Sequence, residues 1–437
     1  MTRASRRKRL KSSDLLVSQV ESSGSSRHGR PPFDYPEAVV GRILSETRNC
    51  WKVVRARRAG LIIDGQDYFR ALRESLAEAH ESIFLLGWDI HSKLRLTREE
   101  HEDDLPSELG PLLDEVARRR PELQIYVLSW DFSMIYAMER EFFPTYKLRW
   151  TSHDRVRFCL DGEHPVGASQ HQKLVVIDDQ VAFCGGIDAG KWRWDTSEHR
   201  VDDDRRIDPD GDPYPPFHDM QMVVEGEAAR ALGELARDRW RAAATVNLPP
   251  MSERRESRAW PQSVDADFTE IPVGISRTMP SHRDLSEVRE VERLYLDSIE
   301  AAETLIYIEN QYLTSHAICD ALSKRLREPA GPEVVIVGPK ETGGWLEQHT
   351  MDVLRARLVE QLHEADRLVR LPDRFVSFDL LHLRRVPVIP SAEVLVMAVP
   401  HRPVIVEAEA SRPDLWDDQE KARAVTSELS SVNEDLE

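Results

Sequence analysis

SQHQKLVVIDDQVAFCGGIDAGKWRWD, residues 169–195, is the stretch around which the rest of the chain is organised. Its aliphatic run at 174–177 predicts a β-strand. Alternate residues of a strand share a face, so the sequence predicts that His171 and Lys173 lie side by side. An ammonium can hold the non-bridging oxygens of a phosphate, and an imidazole can supply the nucleophile or the proton. The pair therefore indicates chemistry at a phosphorus centre.

The same stretch resembles the first HKD motif of the phospholipase D superfamily, with His171, Lys173 and Asp178 in the spacing H-x-K-x4-D. Three further segments resemble parts of that family: GWDI at 87–90, FHDMQM at 217–222 and YIENQY at 307–312. The resemblance covers about residues 45–400. It is strongest to the phospholipase and cardiolipin-synthase-like branch.

The resemblance implies two lobes whose H-x-K-x4-D motifs meet, with one histidine attacking phosphorus and the other protonating the leaving alcohol. It implies no metal and no cofactor. His171 would be the nucleophile and Lys173 the ligand of the phosphoryl oxygens. Asp219 would accept a hydrogen bond from His171 and fix its tautomer. The remaining site residues would be Gly185, Gly186 and Asp188 in the phosphate pocket, and Asp178 as an anchor of the turn after the strand.

The second motif of the resemblance is degenerate. Residues 386–398 read VPVIPSAEVLVMA, so Ser391, Glu393 and Ala398 stand where histidine, lysine and aspartate would. Three explanations stay open: an inactive relative, a dimer in which each chain contributes His171 to a shared site, or a reading-frame change near the carboxy end. The histidines that could substitute as the acid are His316, His349, His382 and His401.

The alternation of helix and strand patterns predicts an α/β fold of two similar lobes, each a mixed sheet flanked by helices. Short strands are predicted at 50–54 and at 59–65, the second ending in an Asp-Gly turn, and another at 271–275 opens the second half. The predicted divisions are a disordered basic tail (1–36), a first lobe (37–247), a linker (248–267), a second lobe (268–410) and an acidic tail (411–437).

Two charged segments allow alternative interpretations. The acidic insertion at 196–216 is interpreted as a solvated loop rather than a calcium loop, because the EF-hand pattern is absent. The basic amino terminus is interpreted as a solvated tail rather than an attachment to anionic lipid.

Composition limits the partners. The net charge of −18, from 77 acidic and 59 basic residues, argues against a nucleic-acid coat. No apolar run of about 18 residues is present to span a membrane. The four dispersed cysteines predict reduced, mostly buried thiols. We therefore expect a cytoplasmic protein, with peripheral membrane contact and a homodimer as open options.

The function expected is that of a phospholipase D-like phosphodiesterase, which hydrolyses or transfers the phosphatidyl group of a glycerophospholipid. A cardiolipin-synthase-type phosphatidyltransferase and a catalytically impaired lipid- or phosphate-binding relative are the alternatives. A nuclease dimer with a single motif is disfavoured by the charge.

Overall fold

A computed structural model gives the fold of the chain. The described residues are 43–99, 103–131, 152–165, 168–244, 248, 250–251, 258–283, 285–338, 345–367 and 375–379.

The described residues before 276 are organised around one eight-stranded mixed sheet. Its spatial order is β4-β3-β2-β5-β6-β7-β1-β8, with β2, β3 and β4 parallel and the remaining neighbours antiparallel. The strands are β1 (Lys52–Ile63), β2 (Ser82–Gly87), β3 (Gln124–Trp130), β4 (Val156–Asp161), β5 (Leu174–Ile177), β6 (Val181–Gly185), β7 (Met220–Gly226) and β8 (Phe268–Ile275).

Helices cover both faces of this sheet. On one face, α1 (Asp64–Ala77) and α2 (Leu109–Arg119) share an apolar core with Ile83 and Leu85 of β2. On the other face, α3 (Glu227–Ala243) packs against Phe84 of the same strand. Alternate residues of a strand point to opposite faces, so a strand buried on both sides must be apolar throughout. This explains the unbroken apolar run of β2.

The following chain forms a smaller α/β unit. A short hairpin, β9 (Thr278–Met279) and β10 (Val288–Arg289), precedes α4 (Glu290–Ala301). Three parallel strands then alternate with helices in the order β11-β12-β13. These elements are β11 (Leu305–Glu309), α5 (His316–Leu326), β12 (Glu333–Gly338), α6 (Trp345–Arg367) and β13 (Phe375–Asp379). The predicted α/β class, with a large mixed sheet flanked by helices, is confirmed.

Three local features differ from the sequence prediction. The two short strands predicted at 50–54 and 59–65 are a single strand, β1, whose register shifts between Ala56 and Arg58. Asp64 and Gly65 begin α1 instead of closing a turn, because Gly65 lies against the backbone of Arg193 and has no room for a side chain. The strand predicted to open the second lobe is β8, which pairs with β1 in the first sheet.

The acidic insertion is not simply a solvated loop. Arg206 is only 1% exposed, donates to Asp195 Oδ1 at 3.0 Å and caps the carbonyl groups of Arg200 and Val201. Asp208 is also buried and accepts hydrogen bonds from backbone amides within the loop. The prediction of a solvated loop is wrong for these residues, because a buried arginine and its carboxylate partner fold the loop onto the domain.

No helix among the described residues is long and apolar enough to cross a membrane. The four cysteines are free thiols, buried at Cys50 and Cys319 and half-buried at Cys159 and Cys184.

Candidate active site at the edge of the large sheet

The sheet topology brings most of the predicted site residues to one edge of the sheet. This edge is the rim formed by the ends of neighbouring central strands, not an outer strand. Strand β5 begins directly after Lys173, β6 ends at Gly185 and β7 begins directly after Asp219. Both neighbouring pairs are antiparallel, with Leu174 opposite Cys184 and Gly185 opposite Gln221. The amino ends of β5 and β7 therefore meet the carboxyl end of β6.

Lys173 is held firmly at this edge. Its side chain is 2% exposed, its Nζ lies 3.1 Å from Asp188 Oδ2, and it donates a hydrogen bond of 2.7 Å to the carbonyl of His171. The other oxygen of Asp188 accepts from the backbone amides of Trp88, at 2.8 Å, and Asp89, at 3.3 Å. Asp188 thus fixes the lysine to the end of β2. The lysine in turn fixes the backbone that carries His171.

His171 is half-buried beside an aromatic wall. Its ring meets that of Trp88 edge-on, with the centroids 5.8 Å apart, and Trp88 stacks on Trp130 at 5.5 Å. Trp130 Nε1 donates to His164 Nε2 at 2.8 Å, which requires that His164 nitrogen to be unprotonated. The aromatic pair and His164 were not among the predicted site residues. The Trp-Asp dipeptide after β2 was the available signal.

The paired glycines have a steric reason. A side chain on Gly185 would collide with Gln221 and the backbone of Met220, and one on Gly186 would collide with the carboxylate of Asp219. The glycines thus let Asp219 approach the turn after β6, where its Oδ1 accepts from the amide of Met220 at 2.7 Å. The hydrogen bond between His171 and Asp219 stays a prediction.

Asp178 lies at the opposite end of β5. Its side chain accepts hydrogen bonds from the backbone amides of His80, Glu81 and Ser82 at 2.7–2.9 Å. Burial raises the pKa of Asp178, although these three amide hydrogen bonds oppose that rise. The contacts anchor the chain that enters β2, and they leave Asp178 away from the edge where His171 lies.

The positions of the second motif, Ser391, Glu393 and Ala398, lie outside the described residues, as do His382 and His401. Of the histidines considered as substitute acids, His316 is exposed at the start of α5.

Comparison with known proteins identifies the family of the chain. The profile of the family described as Phospholipase D matches residues 75–324, which is more than half of the chain. The chain belongs to the phospholipase D family.

Individual relatives in this phospholipase D family are distant. The chain is 26% identical over 239 residues to Phospholipase D B of Dictyostelium discoideum, covering 48% of this chain and 19% of the relative. It is 25% identical over 319 residues to Phospholipase D1 of Saccharomyces cerevisiae, covering 59% of this chain and 18% of the relative. The chain therefore spans only about a fifth of the length of these relatives.

A solved structure of phosphatidylserine synthase from Haemophilus influenzae is also similar. It is 11% identical and has a TM-score of 0.44, with 72% of this chain and 71% of that chain covered.

A second polar cluster, centred on His218, lies next to Asp219. His218 Nδ1 is 2.6 Å from Asp64 Oδ1, and His218 Nε2 is 3.1 Å from Glu309 Oε2. Burial opposes the charge on the ring, but the two carboxylates raise the pKa of His218 to about 10. Glu309 ends β11, and its Oε1 accepts from the hydroxyl of Tyr307 at 2.5 Å. The cluster therefore joins the large sheet to the smaller one.

His199, from the acidic insertion, completes the cluster. Its Nδ1 is 3.0 Å from Asp195 Oδ2, and its Nε2 is 3.4 Å from Asp64 Oδ2. His199 and Asp64 were not predicted as site residues from the sequence. His218 and Glu309 appeared there only within the segments FHDMQM and YIENQY, which carry the family resemblance. The one local signal was the position of His218 directly before Asp219.

Proposed function

We propose that the protein cleaves the phosphodiester of a glycerophospholipid through a phosphohistidine at His171, and passes the phosphatidyl group to water or to an alcohol. The observation that carries this proposal is the link between the two motif residues. Lys173 is buried, paired with Asp188 and hydrogen-bonded to the carbonyl of His171, so the cation and the imidazole are held in a fixed relation.

Each residue has a distinct part in the proposed reaction. His171 attacks phosphorus and breaks the bond to the head-group oxygen, which takes a proton from solvent and leaves as the alcohol. Water or another alcohol then displaces the histidine and gives its proton to solvent, so one difficult displacement becomes two easier ones. Lys173 stabilises the negative charge that builds on the phosphoryl oxygens. Asp219 holds the tautomer of His171, and the turn at Gly185 and Gly186 shapes the phosphate pocket. Asp188 acts by positioning Lys173.

The choice of a lipid substrate has two supports. The similar proteins are named as phospholipases D. The net charge of −18 disfavours a polyanionic nucleic acid as the substrate. We propose that contact with the lipid surface is peripheral.

Vesicles of phosphatidylcholine or phosphatidylglycerol, incubated with the full chain, test the proposal. We expect head-group release by the wild type and by His316→Ala, which changes an exposed histidine, and no release by His171→Ala. Added ethanol should yield phosphatidylethanol if an alcohol can capture the intermediate. Equal release by wild type and His171→Ala would overturn the proposed nucleophile.

A second measurement separates catalysis from binding. Lipid labelled in its phosphate should leave an acid-labile, alkali-stable label on the wild-type protein and none on His171→Ala. Vesicle co-flotation without label and without turnover would instead support the lipid-binding alternative. A burst of one head group per chain would mean that His171 attacks and that the discharge of the intermediate is blocked.

A further inference from the structure

We propose that Asp64, His199 and His218 form a binding site for a divalent transition-metal ion of the zinc class. The site uses none of the residues assigned to phosphoryl transfer and lies beyond the proposed function, in which no step requires a metal.

The geometry of the three side chains matches a metal site. One ligand atom from each residue can be chosen so that all three lie within 4.8 Å of one another. Asp64 directs Oδ1 at His218 and Oδ2 at His199, and the two imidazole rings meet edge-on with centroids 5.2 Å apart. Ligands of a tetrahedral zinc ion, each about 2.0–2.2 Å from the metal, lie about 3.4 Å from one another. The three side chains would therefore move slightly closer together around a bound ion.

Both imidazoles also have the outer partner that metal-binding histidines usually have. A histidine ligand generally donates its other ring N–H to a carboxylate, which orients the ring and raises its basicity. Asp195 takes this place for His199, at 3.0 Å from Nδ1. Glu309 takes it for His218, at 3.1 Å from Nε2. The ring nitrogens that remain, Nε2 of His199 and Nδ1 of His218, are the two that face Asp64.

An independent observation points to a ligand at the centre of the site. Asp64 is 1% exposed, and its Oδ2 accepts no hydrogen bond among the described residues. The 3.4 Å contact with His199 Nε2 is not a hydrogen bond. A buried carboxylate oxygen without a hydrogen bond is costly, and a cation in front of it removes the cost. A divalent ion with two neutral imidazoles carries the same charge as two imidazolium rings. The surrounding carboxylates therefore suit either arrangement.

The donor set selects the class of metal. Two imidazoles and one carboxylate suit zinc, cobalt or nickel, whereas calcium and magnesium prefer oxygen ligands. The ion would tie three segments together: the start of α1 at Asp64, the acidic insertion at His199 and the residue before Asp219. Its main effect would be to stabilise the loop over the edge of the sheet.

Zinc binding by the full chain, purified without a metal-affinity step and treated with chelator, tests the proposal. In equilibrium dialysis we expect one zinc ion per chain for the wild type and for His316→Gln, the matched change of an exposed histidine. His199→Gln should weaken binding at least tenfold. Asp195→Asn, which keeps every ligand, should weaken it by about 10–100-fold.

Cobalt supplies a spectroscopic readout. Co²⁺ added to the wild type should give the ligand-field absorption of a site with nitrogen and oxygen donors, and zinc should displace it. Absence of stoichiometric zinc binding by the wild type, or equal binding by wild type and His199→Gln, would overturn the proposal. If His199→Gln fails to fold, Glu309→Gln decides: it keeps every ligand and the Arg206–Asp195 pair, and it should weaken zinc binding by about 10–100-fold relative to wild type. Zinc dialysis and cobalt absorption report metal binding alone, so their outcomes do not depend on whether the protein turns over phospholipid.

Discussion

The two ends of β5 carry the same kind of buried ion pair for different purposes. At the amino end, Lys173 meets Asp188 through one oxygen and also holds the backbone of His171. At the carboxyl end, Arg237 of α3 grips both oxygens of Asp179, with Nη2 at 2.9 Å from Oδ2. The first pair fixes the backbone of His171, the proposed nucleophile, and the second fixes a helix to a sheet. The strand that separates them has four residues and is about 13 Å long.

The difference shows that the two ends of one motif can have different roles, one at the candidate site and the other in stabilising the fold. Asp178 and Asp179 both have left-handed backbone conformations, with φ of 51° and 54°. The carboxylate of Asp178 accepts from the amides that lead into β2, and that of Asp179 binds Arg237 of α3. Among the described residues at the amino end of β5, none forms such a left-handed turn. These residues lie beside Gly185 and Gly186 at the candidate site. The aspartate of the H-x-K-x4-D spacing therefore belongs, by its contacts, with the structural end.

The largest effect is expected at the carboxyl end. Arg237→Met removes the guanidinium that holds both oxygens of the buried Asp179, so we expect the free energy of unfolding to fall by about 3–5 kcal/mol. Chemical denaturation measures it. Turnover per folded molecule should stay at the wild-type level. The double variant Arg237→Met with Asp179→Asn should recover much of the loss, since asparagine tolerates the left-handed backbone.

The matched change at the amino end should act on turnover. Lys173→Met removes the cation that would stabilise the phosphoryl oxygens, so we expect head-group release to fall by about 10²–10³-fold. Adding Asp188→Asn removes the uncompensated carboxylate and should restore stability without restoring turnover. A double variant that regained activity would break the distinction between the two ends.

A smaller effect is expected for Asp178. Asp178→Asn keeps one acceptor oxygen but turns an amide nitrogen toward a backbone donor, so the free energy of unfolding should fall by about 1–3 kcal/mol. Head-group release per folded molecule should not change. A large loss of turnover with an unchanged melting temperature would place Asp178 in the chemistry instead.

The smallest effect concerns Glu225, opposite Val181 at the same structural end. Burial opposes ionisation, but the hydrogen bonds from Arg58 and Arg57 lower the pKa of Glu225 below its usual range. A depressed folded pKa means that this contribution to stability is present above the unfolded pKa, about 4.3, and is lost as pH falls through the folded value. The melting temperature should therefore fall less steeply between pH 6 and pH 3 for Glu225→Gln than for wild type.

The sequence predicts the strand of the motif because its information is local. An apolar run of four residues, preceded by His171 and Lys173 and followed by two aspartates, specifies strand and turn without help from elsewhere. The proposal that His171 is the nucleophile rests on the same few residues and stays a prediction. The family assignment, predicted from these segments, is confirmed by the profile match.

The cluster around His218 could not be predicted in this way. Its members come from the end of β1, the acidic insertion, the start of β7 and the end of β11, so His218 is 154 residues from Asp64 and 91 from Glu309. Such contacts depend on the packing of the two sheets. The burial of Arg206 could not be predicted for a similar reason. The sequence shows a charged loop, but it does not show that Asp195 pairs with Arg206 and holds it inside the fold.

The pairing of β8 with β1 has a consequence for dividing this protein. A polypeptide that stops at Asp267, where the linker ends, would leave β1 with a row of unpaired amide and carbonyl groups along one side. Open edges of that kind recruit other chains, so the fragment would self-associate. Extending it by eight residues to Ile275 supplies the missing strand. A cut intended to separate the two sheets belongs after residue 275.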